Sequence, residues 1–264
     1  MKLKSVWASD FRADVHQKMW DVAAGDYMRK PIPRVEENDF LQRMMKVITP
    51  ESTVLDIGCG AGGYTLALAP YVKQAVGCDL SGNMIGCAKK RTSELEIENV
   101  LFSRVNWHAA SLAELGWEGK FDVVFAHHTP AVSDYDTFDK MFRCGKKAGF
   151  YCVNTRRHDM VLDQTLAQIG ILPLGDERDK SVPCAFAYLW QKGLEPNIAF
   201  RKEIWTSEKS LEKQIDWTFS RAKLRREINA AEVDRIVEYL SALAVDGKIS
   251  ETITTTIVTM DWLM

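Results

Sequence analysis

A turn with four glycines in six residues is the strongest chemical feature of the sequence. It reads GCGAGG at positions 58–63 and follows the apolar run Val54–Ile57. Glycine adopts backbone angles that other residues avoid, and its missing Cβ lets a ligand approach the main chain. The start of the following helix adds free N–H groups and a partial positive charge. The pattern predicts a nucleoside cofactor at the carboxyl end of the first strand.

Two carboxylates accompany this turn and narrow the choice of cofactor. Asp79 ends the second apolar run, about 20 residues after the first glycine, where an acid accepts hydrogen bonds from ribose hydroxyls. Asp56 lies two residues before the first glycine. The glycines fit the dinucleotide pattern G-x-G-x-x-G and, with Asp56, the pattern D-x-G-x-G-x-G. A carboxylate there repels a pyrophosphate and attracts an ammonium or sulfonium group, so we favour a cationic cofactor.

Several segments resemble one enzyme family. Residues 56–62 resemble the first motif of class I S-adenosylmethionine-dependent methyltransferases, and VGCDLSGNM at 76–84 is similar to the second. FDVVFA at 121–126 resembles the family's fourth strand, and WDVAAGDY at 20–27 resembles a leader found in many small-molecule members. The resemblance implies a three-layer Rossmann-like α/β fold with a seven-stranded, mostly parallel sheet whose last strand is antiparallel.

The resemblance also implies a cofactor and a set of contacts. The cofactor is S-adenosylmethionine, and the product is S-adenosylhomocysteine. By resemblance, Asp79 binds the ribose, Leu80 packs on the adenine and Tyr27 reaches the methionine carboxylate. The predicted cofactor-binding residues are Tyr27, Asp56, Gly58, Cys59, Gly60, Gly62, Asp79, Leu80, Met84, Ala110, Ser111 and Ala126.

The chain departs from the family after the third strand. Many members have an acid there that accepts the adenine amino group, whereas this chain has Ala110 followed by Ser111. Ser111 or backbone groups would then recognise the adenine. Alternatively, Ser111 only caps a helix that starts at Leu112.

Candidate catalytic residues follow the fourth strand. His127 and His128 come directly after it, and an imidazole near neutral pH can accept a substrate proton or orient the substrate. We prefer His127 because it is nearer the strand end, although either ring could simply hydrogen-bond its own loop. A base is needed only if the methyl acceptor must lose a proton.

Two further groups have competing interpretations. Arg156, Arg157 and His158 follow the fifth strand and would hold an anionic substrate or form a solvated charge cluster. Cys59 lies inside the glycine turn, where a helix start can lower a thiol pKa, but a small buried filler is the favoured interpretation.

The elements around these residues indicate the fold class. Strand-like and helix-like segments alternate from Thr53 to Asn154, which predicts βαβ units and a largely parallel sheet. We expect an N-terminal cap or lid at 1–50 and a methyltransferase domain at 51–264. A helical insertion at 205–248 would precede the last strand, which we place at Ile249–Trp262.

Composition excludes several other classes. The chain has 264 residues and a net charge of −2, so it has no broad electrostatic attraction to nucleic acid or acidic membranes. No apolar run approaches the roughly 20 residues of a membrane span, and no secretory signal is seen. We therefore expect a cytoplasmic protein with reduced cysteines, no membrane association and no nucleic-acid partner.

Metal binding has little support from the sequence. The five histidines show no helical i,i+4 pair, and the six cysteines form no Cys-x-x-Cys motif. We therefore predict no metal site.

Taken together, these features predict an S-adenosylmethionine-dependent methyltransferase with a small-molecule acceptor. The acceptor atom and the oligomeric state stay open. Two other functions stay possible at this point: an NAD(P)-binding oxidoreductase, and a catalytically inactive S-adenosylmethionine-binding partner or sensor.

Overall fold

A sheet of seven strands organises the chain in the computed structural model, which describes residues 3–173 and 180–264. The strand order is β3-β2-β1-β4-β5-β7-β6. The strands are β1 (Thr53–Ile57), β2 (Gln74–Asp79), β3 (Val100–Arg104), β4 (Phe121–His127), β5 (Gly145–Asp159), β6 (Asn197–Ser210) and β7 (Lys248–Leu263).

Strand direction confirms the predicted fold class. Strand β1 pairs in parallel with β2 and β4, and β4 pairs in parallel with β5. Strand β7 runs the other way beside β5: Met264 N donates to the Lys147 oxygen at 2.8 Å, and Thr259 Oγ1 lies 3.6 Å from Cys152 Sγ. The sheet is thus mostly parallel with an antiparallel last strand, as the sequence predicts.

Buried apolar runs explain why the central strands form. Leu55 and Ile57 of β1 and residues 123–126 of β4 are each 0% exposed. Parallel strands covered on both faces need such continuous apolar runs. Because β1, β2 and β4 run in parallel, their carboxyl ends lie at the same edge of the sheet, whereas β5 pairs with β4 up to Cys152 and continues to Asp159.

Helices connect the strands, and side chains define where several of them begin. Ser81 accepts from Met84 N at 3.0 Å at the start of α5, and Asp134 forms a capping box with Thr137 at the start of α7. The helices are α1 (Leu3–Val6), α2 (Ala13–Met28), α3 (Asp39–Met45), α4 (Gly63–Leu68), α5 (Gly82–Glu94), α6 (Leu112–Leu115), α7 (Tyr135–Cys144), α8 (Met160–Ala167), α9 (Ser181–Gln191), α10 (Leu211–Lys223) and α11 (Ala230–Leu243). None of the helices within the described residues is long and apolar enough to cross a membrane.

The chain divides into two compact units. The first comprises Met1–Val153, Lys180–Ala199 and Val258–Met264, and the second comprises Asn154–Asp179 and Phe200–Ile257. The second has its own apolar core of eight buried residues from α8, α10, α11, the turn after α8 and the start of β7. The predicted cap boundary at residue 50 stays a prediction. Within the predicted helical insertion at 205–248, α10 and α11 are helical, but residues 205–210 belong to β6.

Candidate functional site

The glycine turn is held by backbone hydrogen bonds in a conformation that glycine favours. Gly58, Gly60 and Gly62 have φ of +74°, +54° and +77°, in the left-handed region that side chains rarely adopt. Gly58 N and Cys59 N both donate to the Cys78 oxygen of β2, at 2.8 and 3.0 Å. At these three glycines the turn therefore exposes main chain without a Cβ atom, next to the start of α4.

Space around the three glycines differs. A Cβ on Gly58 would lie 1.9 Å from Thr129 Oγ1, in the loop after β4, so this glycine is required by close packing. A Cβ on Gly60 would have only Met84 Sδ and Tyr27 Cδ1 nearby, each at 3.9 Å. The turn thus has room at Gly60, between Tyr27 and Met84, both of which the sequence predicts as cofactor contacts.

Asp79 lies at the end of β2 and faces the turn. Its Oδ2 accepts from Gly60 N at 2.9 Å and its Oδ1 accepts from Ser81 N at 2.8 Å. Burial raises the pKa of this carboxyl despite these hydrogen bonds. A carboxylate oxygen has two acceptor sites, so each still has capacity for a ribose hydroxyl.

Asp56 is buried rather than open to a ligand. It is 3% exposed and accepts a hydrogen bond of 2.6 Å from Thr65 Oγ1. Burial raises its pKa to about 7, and the nearby Asp79 adds to the shift. A cation bound beside the turn would favour ionised Asp56, because opposite charges stabilise each other strongly where water is excluded. The two carboxylates, Asp56 and Asp79, are acceptors whose negative charge fits an ammonium and a sulfonium group.

Helix α2 lies against the turn and against α5. Asp21 Oδ1 accepts from Ser81 Oγ at 2.5 Å and from Asn83 N at 3.1 Å. Ala24 of α2 packs with Ala61 of the turn and Met84 of α5. The segment that resembles the family leader is therefore part of a long helix that covers the cofactor region, which the sequence analysis placed in a cap without predicting the helix.

The remaining predicted cofactor residues lie in different surroundings. Ser111 is exposed and accepts from Glu114 N at 3.4 Å, so it caps the helix that begins at Leu112. The Ala110 oxygen accepts from Lys140 Nζ at 3.2 Å. Leu80 is half-buried, whereas Ala126 is fully buried in the apolar core. Cofactor contacts of these residues stay predictions.

Two histidines and a cysteine meet where the end of β4 lies beside the middle of β5. The His127 ring packs 4.1 Å from the Tyr64 ring and 4.8 Å from the Phe40 ring, measured between centroids. The His127 and His128 rings meet edge to face at 4.3 Å. His128 Nε2 lies 3.7 Å from Cys152 Sγ.

Cys152 is not among the site residues that the sequence predicts. Its position opposite His127 follows from the parallel register of β4 and β5, in which these two residues are partners. A cysteine inside a strand gives no local signal of this contact. Only the pairing of the two strands, combined with the expectation that sites form at strand ends, could have drawn attention to it.

The other two candidate groups have defined partners. Burial, together with the charges of Asp56 and Asp79, raises the pKa of Cys59 well above its usual value, which fits a neutral filler rather than a nucleophile. In the second unit, Arg157 Nε and Nη2 donate to the two oxygens of Asp159 at 2.5 and 2.6 Å. Its guanidinium is therefore engaged within the chain.

Known proteins resemble this chain over part of its length. Residues 48–169 match the family model described as a methyltransferase domain. An uncharacterised protein of Haemophilus influenzae is 28% identical over 170 residues, which cover 62% of this chain and 58% of that protein. A 23S rRNA (uracil-C5)-methyltransferase of Xanthomonas oryzae is 27% identical over 104 residues, covering 37% of this chain and 23% of the enzyme. The chain thus matches less than two thirds of the length of either relative.

Solved structures share the fold at low identity. YcgJ of Bacillus subtilis superposes with a TM-score of 0.50 at 18% identity, covering 83% of this chain and 95% of that protein. A phosphoethanolamine N-methyltransferase of Haemonchus contortus, in complex with S-adenosyl-L-methionine, superposes with a TM-score of 0.50 at 14% identity. The match covers 97% of this chain and 60% of that protein.

Proposed function

We propose that this chain is a class I S-adenosylmethionine-dependent methyltransferase, with S-adenosylmethionine as its cofactor, and that it methylates a small molecule. The observation that carries the proposal is the glycine turn at Gly58–Gly62, with Asp79 bonded to Gly60 and a buried carboxylate at Asp56. The cofactor supplies an activated methyl group. The protein's task is to hold the acceptor in line with that group and to exclude water.

Charge favours a small acceptor over RNA. The net charge of −2 provides no general attraction to phosphates. Some relatives act on 23S rRNA by name, and one structural neighbour is named for phosphoethanolamine. The Xanthomonas rRNA methyltransferase matches this chain over less than a quarter of its own length. Segments outside the match can therefore carry its RNA specificity.

The acceptor is proposed to lie where the end of β4 lies beside Cys152 of β5. We assign His127 and His128 to this side because His127 ends β4 and His128 follows it, next to Thr129, which lies against Gly58 of the turn. There they would orient the acceptor or receive its proton. Cofactor binding should therefore depend on Asp79 and be independent of His127.

A thermal-shift series tests the cofactor side of this proposal. At about 100 times its dissociation constant, a ligand stabilises a protein by roughly 2.7 kcal/mol, which raises the melting midpoint here by about 5–10 °C. We expect this shift with S-adenosylhomocysteine and S-adenosylmethionine but not with NAD. Asp79→Asn should remove most of it, whereas His127→Gln should keep it. A shift with NAD alone would overturn the proposal.

A labelling experiment tests the acceptor class. The protein is incubated with S-adenosylmethionine tritiated in the methyl group and with three fractions of cell extract: small molecules that pass a dialysis membrane, RNA, and protein. We expect label in the small-molecule fraction, and loss of that label with Asp79→Asn. Label confined to RNA or protein would contradict a small-molecule acceptor.

A further inference from the structure

We propose that His127, His128 and Cys152 bind one divalent transition-metal ion, for which Zn²⁺ is the best fit. One ligand atom from each residue lies within 4.8 Å of the other two. Two imidazole nitrogens and a thiolate are ligands that Zn²⁺ prefers, and the cluster contains none of the carboxylates that Mg²⁺ and Ca²⁺ need. The cluster lies in the first unit, where the end of β4 lies beside the middle of β5.

The spacing of the ligand atoms suits a tetrahedral ion. Zinc bonds of about 2.05 Å to nitrogen and 2.3 Å to sulfur place a nitrogen and a sulfur roughly 3.6 Å apart in a tetrahedron. His128 Nε2 and Cys152 Sγ are 3.7 Å apart. This pair needs almost no rearrangement, and a ring nitrogen of the neighbouring His127 lies within 4.8 Å of both atoms.

The fold brings the ligands together by backbone structure. His127 and Cys152 are register partners in parallel strands, so both side chains project from the same face of the sheet. His128 adopts a φ of +50°, and its N–H donates to the Cys152 oxygen at 2.8 Å. A left-handed histidine is uncommon, and here it turns the ring back toward the sulfur.

The surroundings support each ligand. Thr259 Oγ1 lies 3.6 Å from Cys152 Sγ and can donate to a thiolate. The rings of Phe40 and Tyr64 contact the ring of His127 and limit its rotation. Partners that orient the ligands in this way are a regular feature of metal sites. Cys152 is 2% exposed, whereas both histidines are half-buried, so an ion can enter from the histidine side.

Three protein ligands leave one position of a tetrahedral ion open, as in catalytic zinc sites. Resting on the proposed function, this position would take a thiol or hydroxyl acceptor. The acceptor gives its proton to solvent when it binds the metal. Its sulfur or oxygen then bonds to the methyl carbon as the cofactor's sulfur–methyl bond breaks, and S-adenosylhomocysteine leaves. A metal-bound histidine nitrogen cannot accept a proton, so both histidines would position the acceptor and neither would act as its base.

Metal binding to the full-length, untagged protein tests the site. The protein is stripped with a chelator, dialysed against Zn²⁺ and analysed for metal, and a second sample is titrated with Co²⁺. We expect one Zn²⁺ per chain, visible bands of four-coordinate cobalt, and a thiolate-to-cobalt charge-transfer band. Cys152→Ser should abolish the charge-transfer band and weaken Zn²⁺ binding more than about 100-fold, above the loss that an outer partner causes. His128→Gln should weaken binding similarly, whereas Cys184→Ser, at another buried cysteine, should leave it unchanged.

The result is separable from the proposed function. The wild-type cobalt spectrum needs no variant, so failure of a variant to fold leaves the test intact. Absence of the thiolate band in the wild-type protein, or equal Zn²⁺ binding by Cys152→Ser and Cys184→Ser, would overturn the metal site. The melting shift with S-adenosylhomocysteine reports on the cofactor half alone and should persist in Cys152→Ser. Loss of that shift in the wild-type protein would instead defeat the proposed function.

Discussion

The two halves of the site edge are built from different parts of the chain. The cofactor half, formed by the turn at 58–63 and Asp79, uses backbone N–H groups and the absence of side chains. The acceptor half, formed by residues 127–129 and Cys152, uses side chains from two strands that meet through their register. Main-chain N–H groups are the same in every protein. A cofactor half built from them can therefore bind the same class of ligand in many different proteins. Side chains differ from one protein to the next, so we expect the identity of the substrate to depend on the second half.

The largest effect is expected where the two halves touch. Gly58→Ala forces a side chain into a φ of +74° and places its Cβ 1.9 Å from Thr129 Oγ1. Strain and overpacking together should lower the free energy of unfolding by about 3–5 kcal/mol, measured by urea denaturation. Gly116→Ala is the matched control: its φ is +63°, but no atom lies within 4 Å of the added Cβ. That variant should lose only about 1–2 kcal/mol.

A second substitution sharpens this test. Thr129→Gly removes the three atoms that the Cβ at residue 58 would meet. In the double variant Gly58→Ala, Thr129→Gly, we expect the free energy of unfolding to fall by less than the sum of the two single losses. The two sites are in contact, so the second substitution removes the overpacking that the first one causes. Simple additivity of the two single losses would show that the halves are not packed together at this point.

The same contrast explains how much of the site could be predicted from the sequence. The turn, Asp79 and the alternation of strands and helices from Thr53 to Asn154 were predictable because buried apolar runs and glycine spacing are local signals. The burial of Asp56 was not, since its hydrogen bond to Thr65 depends on how α4 packs. Helix α2 was missed because polar and aromatic residues alternate along it without a clear apolar face, and only Met19 and Ala24 are buried.

The acceptor half shows a different limit of sequence reasoning. A search for metal ligands at helical spacing gave zinc little support. The structure places His127, His128 and Cys152 together through strand pairing and through a left-handed backbone at His128. Neither the pairing nor the backbone conformation leaves a pattern in the residue types. Long-range pairing therefore determines the half of the site to which we assign the acceptor.

A smaller effect is expected from protonation in the cofactor half. Burial raises the pKa of Asp56 to about 7, from a usual value of 3.8, so the ligand-free protein loses stability as the pH rises across that interval. A ligand with an ammonium group prefers the ionised carboxylate. If only that form binds, S-adenosylhomocysteine should bind about tenfold more tightly at pH 8 than at pH 6, measured by calorimetry.

Asp56→Asn is the control for this pH dependence. It keeps an acceptor for Thr65 but cannot ionise, so its affinity for S-adenosylhomocysteine should change little between the two pH values. The pKa of Asp79 is also raised by burial, and any remaining dependence in Asp56→Asn would be assigned to it. If the affinity of Asp56→Asn depends on pH as strongly as that of the wild-type protein, Asp56 does not select the cofactor.

The smallest effect concerns the helix that covers the cofactor half. Although burial raises the pKa of Asp21, its hydrogen bonds from Ser81 and Asn83 lower the pKa overall, so its stabilising contribution is present above the usual value of 3.8 and is lost as the pH falls. Asp21→Ala should cost about 1 kcal/mol at neutral pH and speed hydrogen exchange in α2. Asp21→Asn keeps an acceptor oxygen and should cost less. If exchange in α2 is equally slow in Asp21→Ala and the wild-type protein, apolar packing of Ala24 against Ala61 and Met84 holds the helix without this carboxylate.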